Sequence, residues 1–143
     1  GSNSGALDKI DATTFAVTNL IDSSTLESLN ADSNTYHLKD VAVVSDQLAY
    51  VTVSLESGYT TNATFLYQLD PSSTEAPTEV SLDALDGEIF NDITVDSESR
   101  LWIATNSNSN PGIVVMDTDT NTRNGNFIEL DMPASKVVFL NID

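Results

Sequence analysis

Residues 40–52 read DVAVVSDQLAYVT, and residues 92–104 read DITVDSESRLWIA. The two stretches align without a gap, and their first residues lie 52 positions apart. Each begins with an Asp, continues as an apolar strand, passes through a polar turn and ends in a second strand with an aromatic residue. A strand pattern that repeats at about 40–50 residues is typical of β-propeller blades. The repeat therefore predicts consecutive antiparallel sheets.

Alternation of apolar and polar residues extends this pattern along the chain. It divides residues 1–143 into the last strands of a blade plus a loop (1–35), two full blades (36–87 and 88–131), and the first strand of another blade (132–143). One helical turn is expected within Thr25–Asn30. The predicted strands are Ala6–Ile10, Phe15–Ile21, Asp40–Val44, Ala49–Ser54, Thr64–Leu69, Thr78–Leu82, Asp92–Val95, Leu101–Thr105, Ile113–Met116, Asn126–Leu130 and Lys136–Leu140.

The predicted fold class is all-β. Propellers close rings of about 4–8 four-stranded blades, and this chain supplies about three blades, two of them complete. We therefore expect a partial β-propeller, either a fragment or an arc of a larger ring. The expected partners are the rest of the propeller, in the same or another chain, or further copies of this chain.

The third strand of each predicted blade ends in the same way. An aliphatic residue is followed by Asp11, Asp70 or Asp117 at the start of a turn. An Asp at this place accepts backbone N–H bonds and closes an Asx-type turn. The stretch 117–121 (DTDTN) also begins like a calcium-binding loop. Thr122 stands where that loop needs Gly, so a hairpin turn is the favoured interpretation.

Charge and composition exclude several classes of function. The chain has 22 acidic and 5 basic residues, and its net charge of −17 repels nucleic acid and anionic lipid. No apolar run is long enough to insert across a membrane. The chain has no cysteine and a single histidine, which excludes disulfides, thiolate metal sites and multi-histidine sites. That histidine, His37, is expected in a solvated loop before the Asp40 strand.

Three stretches resemble the YVTN-type β-propeller repeat of bacterial and archaeal surface and periplasmic proteins. They are Tyr50-Val51-Thr52, the segment 10–17 (IDATTFAV) and the segment 116–122 (MDTDTNT). Val53 departs from the motif, which has Asn at its fourth position. The resemblance implies a propeller scaffold in a secreted, periplasmic or cell-surface protein, and such scaffolds host many functions.

The stretch 90–105 (FNDITVDSESRLWIAT) resembles a blade of the gluconolactonase, or senescence-marker lactonase, family of propellers. In that family an Asn-Asp pair opens the innermost strand, beside a channel that holds a divalent metal. The resemblance implies that Asn91 and Asp92, with Asp40 of the preceding blade, bind a ligand or a metal such as Ca²⁺ or Mg²⁺, whose preferred ligands are oxygens. Ile93 and Lys39 depart from the family, which has Gly and Asn there. The alternative is that both carboxylates bond only backbone amides at the strand starts.

The sequence leaves two functions open. The preferred one is an extracytoplasmic binding or scaffold module that presents loops to a protein or a glycan. The alternative is a metal-dependent, lactonase-like hydrolase with carboxylates at the channel mouth, and whether the chain is an enzyme stays open, with catalytic residues unknown. Tyr50 and Trp102, at equivalent positions, are predicted to be buried between blades. Ligand stacking is the alternative role for this aromatic pair.

Overall fold

The computed structural model describes residues 5–29, 35–57, 60–82, 85, 87–106 and 111–140. These residues form a mostly β structure with three antiparallel sheets, none of which closes into a barrel. The all-β prediction is confirmed. The elements are β1 (Leu7–Ile10), β2 (Val17–Ile21), α1 (Ser23–Leu29), β3 (Thr35–Ser45), β4 (Leu48–Ser57), β5 (Thr60–Leu69), β6 (Thr78–Glu79), β7 (Phe90–Val95), β8 (Arg100–Thr105), β9 (Gly112–Asp117), β10 (Thr122–Arg123) and β11 (Ile128–Glu129).

Two of the sheets are consecutive meanders, which we name unit 1 and unit 2. Unit 1 has the strand order β3-β4-β5-β6. Unit 2 has the order β7-β8-β9-β10, and β11 also pairs with β9. The fourth strands are much shorter than predicted, because β6 has two residues and the fourth position of unit 2 is shared by two short strands. The third sheet is the hairpin β1-β2.

The first two strands pair in the same register in unit 1 and in unit 2. Asp40 lies opposite Thr52 in unit 1, and Asp92 lies opposite Ala104 in unit 2. A β-bulge interrupts the pairing immediately before each Asp, between residues 38 and 40 and between residues 90 and 92. The internal repeat is therefore present in the hydrogen-bond pattern, including its irregularity. Bulges re-aim side chains and often lie beside functional sites.

The two units pack face against face. The back face of unit 1, formed by Ala42, Tyr50 and Leu66, lies in one apolar cluster with the front face of unit 2. That front face consists of Ile93, Leu101, Ile103, Val114 and Met116. The front face of unit 1 packs in a second cluster, against residues of β2 and α1. β4 buries both of its faces, so residues 49–54 are buried without alternation.

The predicted Asx turns are confirmed at all three places. Asp11 accepts the N–H of Thr13 and Thr14, at 2.8 and 2.7 Å. Asp70 accepts the N–H of Ser72 at 2.7 Å, and Asp117 accepts the N–H groups of residues 119 and 120 at 3.0 and 3.1 Å. The carboxylate of Asp117 thus closes a hairpin turn, which is the favoured interpretation of the stretch 117–121.

Three segments differ from their predictions. The helix α1 has seven residues and begins earlier than the predicted turn, because Asp22 caps it through the N–H of Thr25 at 2.8 Å. This bond, with hydroxyl donors, lowers the pKa of Asp22 to about 2. β2 begins at Val17 because Phe15 adopts a φ of 58° in the turn. Residues 136–140 form no strand, since none of the described strands pairs with them.

Candidate functional site

The predicted site residues lie at one end of the sheets, at the two bulges, which we name the rim. Asp40 follows the first bulge, and both of its oxygens accept backbone N–H groups. Oδ1 accepts from Val41 at 2.8 Å, and Oδ2 accepts from Ile93 of unit 2 at 3.1 Å. The second bond joins unit 1 to unit 2. It places Asp40 next to Asp92, the neighbour of Ile93 in sequence.

Asp92 repeats this arrangement one unit later. Its carboxylate is 6% exposed and accepts the N–H of Val137 at 2.8 Å and the ammonium of Lys136 at 3.1 Å. Val137 is the residue that aligns with Ile93 and Val41. The carboxylate at the start of the first strand of each unit therefore bonds a backbone N–H of the unit or segment that follows it. We name this contact the carboxylate link.

The bulge residue of unit 2, Asn91, also joins consecutive segments. Its side-chain amide donates to the carbonyl of Ala134 at 2.8 Å. The equivalent bulge residue of unit 1, Lys39, turns instead to Glu56, with Nζ 2.6 Å from Oε1. The structure therefore brings Asp40, Asn91 and Asp92 to one rim, as predicted. It gives each of them a protein partner.

The chemistry of this donor set does not match a metal site as it stands. Among the described residues, no group of three or more His, Cys, Asp or Glu side chains is arranged to hold a metal. Both oxygens of Asp40 and both of Asp92 face N–H donors. Each oxygen keeps a second lone-pair site, but at Asp92 a cation would have to compete with the positive charge of Lys136. The Ca²⁺ or Mg²⁺ site stays a prediction.

A polar cluster that sequence reasoning missed surrounds Glu56. The hydroxyl of Ser54 donates to Glu56 Oε1 at 3.1 Å, and His37 Nε2 lies 3.5 Å from Oε2. The bond from Lys39 holds the pKa of the Glu56 carboxyl below its usual range. His37 lies in β3, which corrects the expectation of a loop. The pairing of β3 with β4 continues to Thr35 opposite Glu56, and only this extension brings the cluster together.

A cleft of about 260 Å³ opens at the rim between the two units. The Lys39 ammonium is already neutralised by Glu56, so the cleft offers mainly hydroxyl and amide groups. Phe90, which lines the cleft, is 8% exposed. The lining residues are Lys39, Ser54, Thr61, Thr64, Ile89, Phe90, Asn91 and Asn106. This donor set suits a neutral, hydroxyl-rich ligand better than an ion.

The equivalent aromatic residues have different surroundings. Tyr50 is fully buried, and its hydroxyl donates to Asn121 Oδ1 at 2.6 Å and lies 3.2 Å from the Thr118 carbonyl. Burial raises the pKa of Tyr50 to about 12. The predicted burial between sheets is confirmed for this residue. Trp102 is half-buried, which corrects its predicted burial between sheets, and Phe139 of the C-terminal segment lies edge-on to it at a centroid distance of 5.3 Å.

Trp102 is also fixed by a buried carboxylate on its own hairpin. Asp96 Oδ2 accepts the indole N–H of Trp102 at 2.8 Å and the side chain of Arg100 at 2.7 Å. Oδ1 accepts the N–H groups of Glu98 and Arg100. Burial raises the pKa of Asp96, but these bonds outweigh it, so the pKa lies below its usual value. Asp96 therefore orders the β7–β8 turn.

No protein-family model, curated protein or solved structure matches this chain. The two propeller resemblances therefore rest on the residues quoted above. Among the described residues, no helix has the length and apolar character needed to cross a membrane.

Proposed function

We propose that this chain is part of a β-propeller that serves as an extracytoplasmic binding or scaffold module. The carboxylate link is the observation that carries the proposal. It occurs from Asp40 to Ile93 and again from Asp92 to Val137, at the same position of the repeat. A contact that recurs at equivalent positions of consecutive units fits the radial repetition of sheets in a propeller.

The packing of the sheets supports the same proposal. Consecutive antiparallel sheets pack back face to front face, and their first strands β3 and β7 lie side by side at the link. The hairpin β1-β2 packs on the front face of unit 1, where the outer strands of a preceding blade would pack. The segment 136–140 occupies the place of a following inner strand, held by Asp92 and Trp102.

The rim cleft is the binding site that this module offers. Its hydroxyl and amide groups, with a neutralised ammonium, suit a sugar. Clefts at the junction of two structural units are frequent ligand sites. The net charge of −17 disfavours anionic ligands and suits a salty, extracytoplasmic surface, where screening reduces self-repulsion.

Titration of isotope-labelled protein with a panel of neutral oligosaccharides, followed by nuclear magnetic resonance, tests this function. We expect the side-chain amides of Asn91 and Asn106 to shift on binding, and we expect Asn106→Ala to abolish the shifts. Asn124→Ala is the matched control, since Asn124 lies in the exposed turn after β10. No saturable shift at the rim with any sugar, or unchanged binding in Asn106→Ala, would argue against the cleft as a glycan site.

The metal-dependent hydrolase is retained as the second candidate because Asp40, Asn91 and Asp92 meet at one rim. It requires a cation to bind beside the N–H donors of both carboxylates and to compete with the Lys136 ammonium at Asp92. Calorimetry with Ca²⁺ and Mg²⁺, together with an assay of aliphatic lactone hydrolysis, distinguishes the two candidates. Saturable metal binding and turnover that are both lost in Asp92→Asn would favour the hydrolase.

A further inference from the structure

The contact between units 1 and 2 defines what one unit needs from its neighbour. Ile93, near the start of the inner strand of unit 2, is 3% exposed and donates its N–H to Asp40. Val137 holds the same place in the C-terminal segment and donates its N–H to Asp92. The first strand of unit 2 and the C-terminal segment thus each contact a carboxylate and an apolar or aromatic side chain of the unit before them.

The same place in unit 1 is open in the described structure. Val41 is 38% exposed and Val43 is 64% exposed. β3 is an edge strand, and the Val41 N–H bonds the carboxylate of its own neighbour, Asp40. Ile21 and Leu26, from the hairpin and α1, pack on another part of this front face, in a cluster that includes Tyr36 but neither Val41 nor Val43. An apolar edge of this kind is typical of an interaction surface.

We propose that Val41, Val43 and the Val41 N–H form a docking surface for one more sheet unit of this repeat, with Asp at the start of its inner strand. The inference rests on the propeller proposal above. The support is the existing interface between units 1 and 2, which the new interface would repeat. In that interface unit 1 contacts unit 2 through Ala42, Tyr50 and the Asp40 carboxylate. The partner is therefore expected to present a carboxylate next to a small and an aromatic side chain.

A second copy of this chain fits this surface poorly. The residue that aligns with Asp40 and Asp92 in the C-terminal segment is Lys136. Its ammonium donates back to Asp92 at 3.1 Å. An ammonium has no lone pair and cannot accept the N–H of Val41. The repeat of carboxylate links stops at this residue, so copies would meet without the link.

The test is a tandem chain with a second copy of residues 36–87 inserted ahead of Tyr36, which preserves the 52-residue spacing of the repeat. Repeats interact mainly with their nearest neighbours, so one unit can be added without redesign. The tandem has two Val41 amides. We expect the downstream amide to exchange with solvent at least tenfold more slowly than Val41 of the original chain. Asp40→Ala in the upstream copy alone should abolish the slowing.

A second variant addresses the same surface in the original chain. Lys136→Asp installs the missing carboxylate, so we expect self-association at least tenfold stronger than for Lys136→Ala in sedimentation experiments. Val43→Lys should cancel this gain.

Three outcomes would overturn the proposal. The first is a folded tandem whose downstream Val41 exchanges at the original rate. The second is an unfolded tandem together with a Lys136→Asp variant no more associated than Lys136→Ala. The third is an original chain that already associates through Val43, which would make a second copy the occupant. The sugar titration at the rim cleft does not depend on any of these results.

Discussion

Asp92→Ala is expected to release the C-terminal segment from unit 2. The substitution removes the acceptor of the Val137 N–H and of the Lys136 ammonium. A hydrogen bond to a charged group contributes about 1.5–3 kcal/mol. The Lys136 side chain is 70% exposed, so its ion pair adds less than about 1 kcal/mol. We therefore expect docking of the segment to weaken by about 2–3 kcal/mol.

The single tryptophan reports this release directly, because Trp102 lies against Phe139. We expect its emission to shift to the red in Asp92→Ala, and the urea midpoint followed by this emission to fall by about 1 M for a slope of about 2 kcal/mol per M. Asp46→Ala is the matched control, since it removes the same charge from an exposed turn. A midpoint within about 0.2 M of that control, with unchanged emission, would refute the reasoning.

Four further outcomes are expected. Tyr50→Phe should cost about 1–2 kcal/mol in urea unfolding, because it leaves the Asn121 side chain without its buried donor; a neutral result would contradict the contact between units. Trp102→Ala should cost about 2 kcal/mol, below the 3–5 kcal/mol typical of fully buried aromatics, whereas Trp102→Phe should cost less. Because the folded pKa of Asp96 is depressed, its contribution to stability is present above about pH 4 and is lost as pH falls through the folded value, so acid unfolding of Asp96→Asn should be less steep than that of the original chain. The thermal midpoint should rise from low salt to molar NaCl, since screening relieves the repulsion of 17 net negative charges, and a flat or falling midpoint would contradict this.

The repeat could be predicted from sequence because its signals are local. Asp40 and Asp92 mark the strand starts, and apolar residues on both sides of the turn fix the register that the structure shows. The Asx turns could be predicted because an Asp follows the last aliphatic residue of each third strand. The position of the candidate site residues at one rim also followed from the repeat.

The remaining features depend on neighbours that a sequence does not specify. Residues 136–140 have a strand pattern, but no strand in the part of the chain that the structure describes pairs with them. His37 and Glu56 meet only because β3 and β4 continue past the predicted ends. The burial of Trp102 depends on what covers the back face of unit 2, whereas Tyr50, with the same pattern, is covered by a complete unit.

Amide exchange at Ile93 and Val137 tests the repeated carboxylate link most directly. The two N–H groups depend on different carboxylates, Asp40 and Asp92. We predict a crossed result, with Ile93 exchanging at least tenfold faster only in Asp40→Ala and Val137 only in Asp92→Ala. Equal rates for each amide in the original chain and in both variants would contradict the link, and with it the strongest support for the propeller.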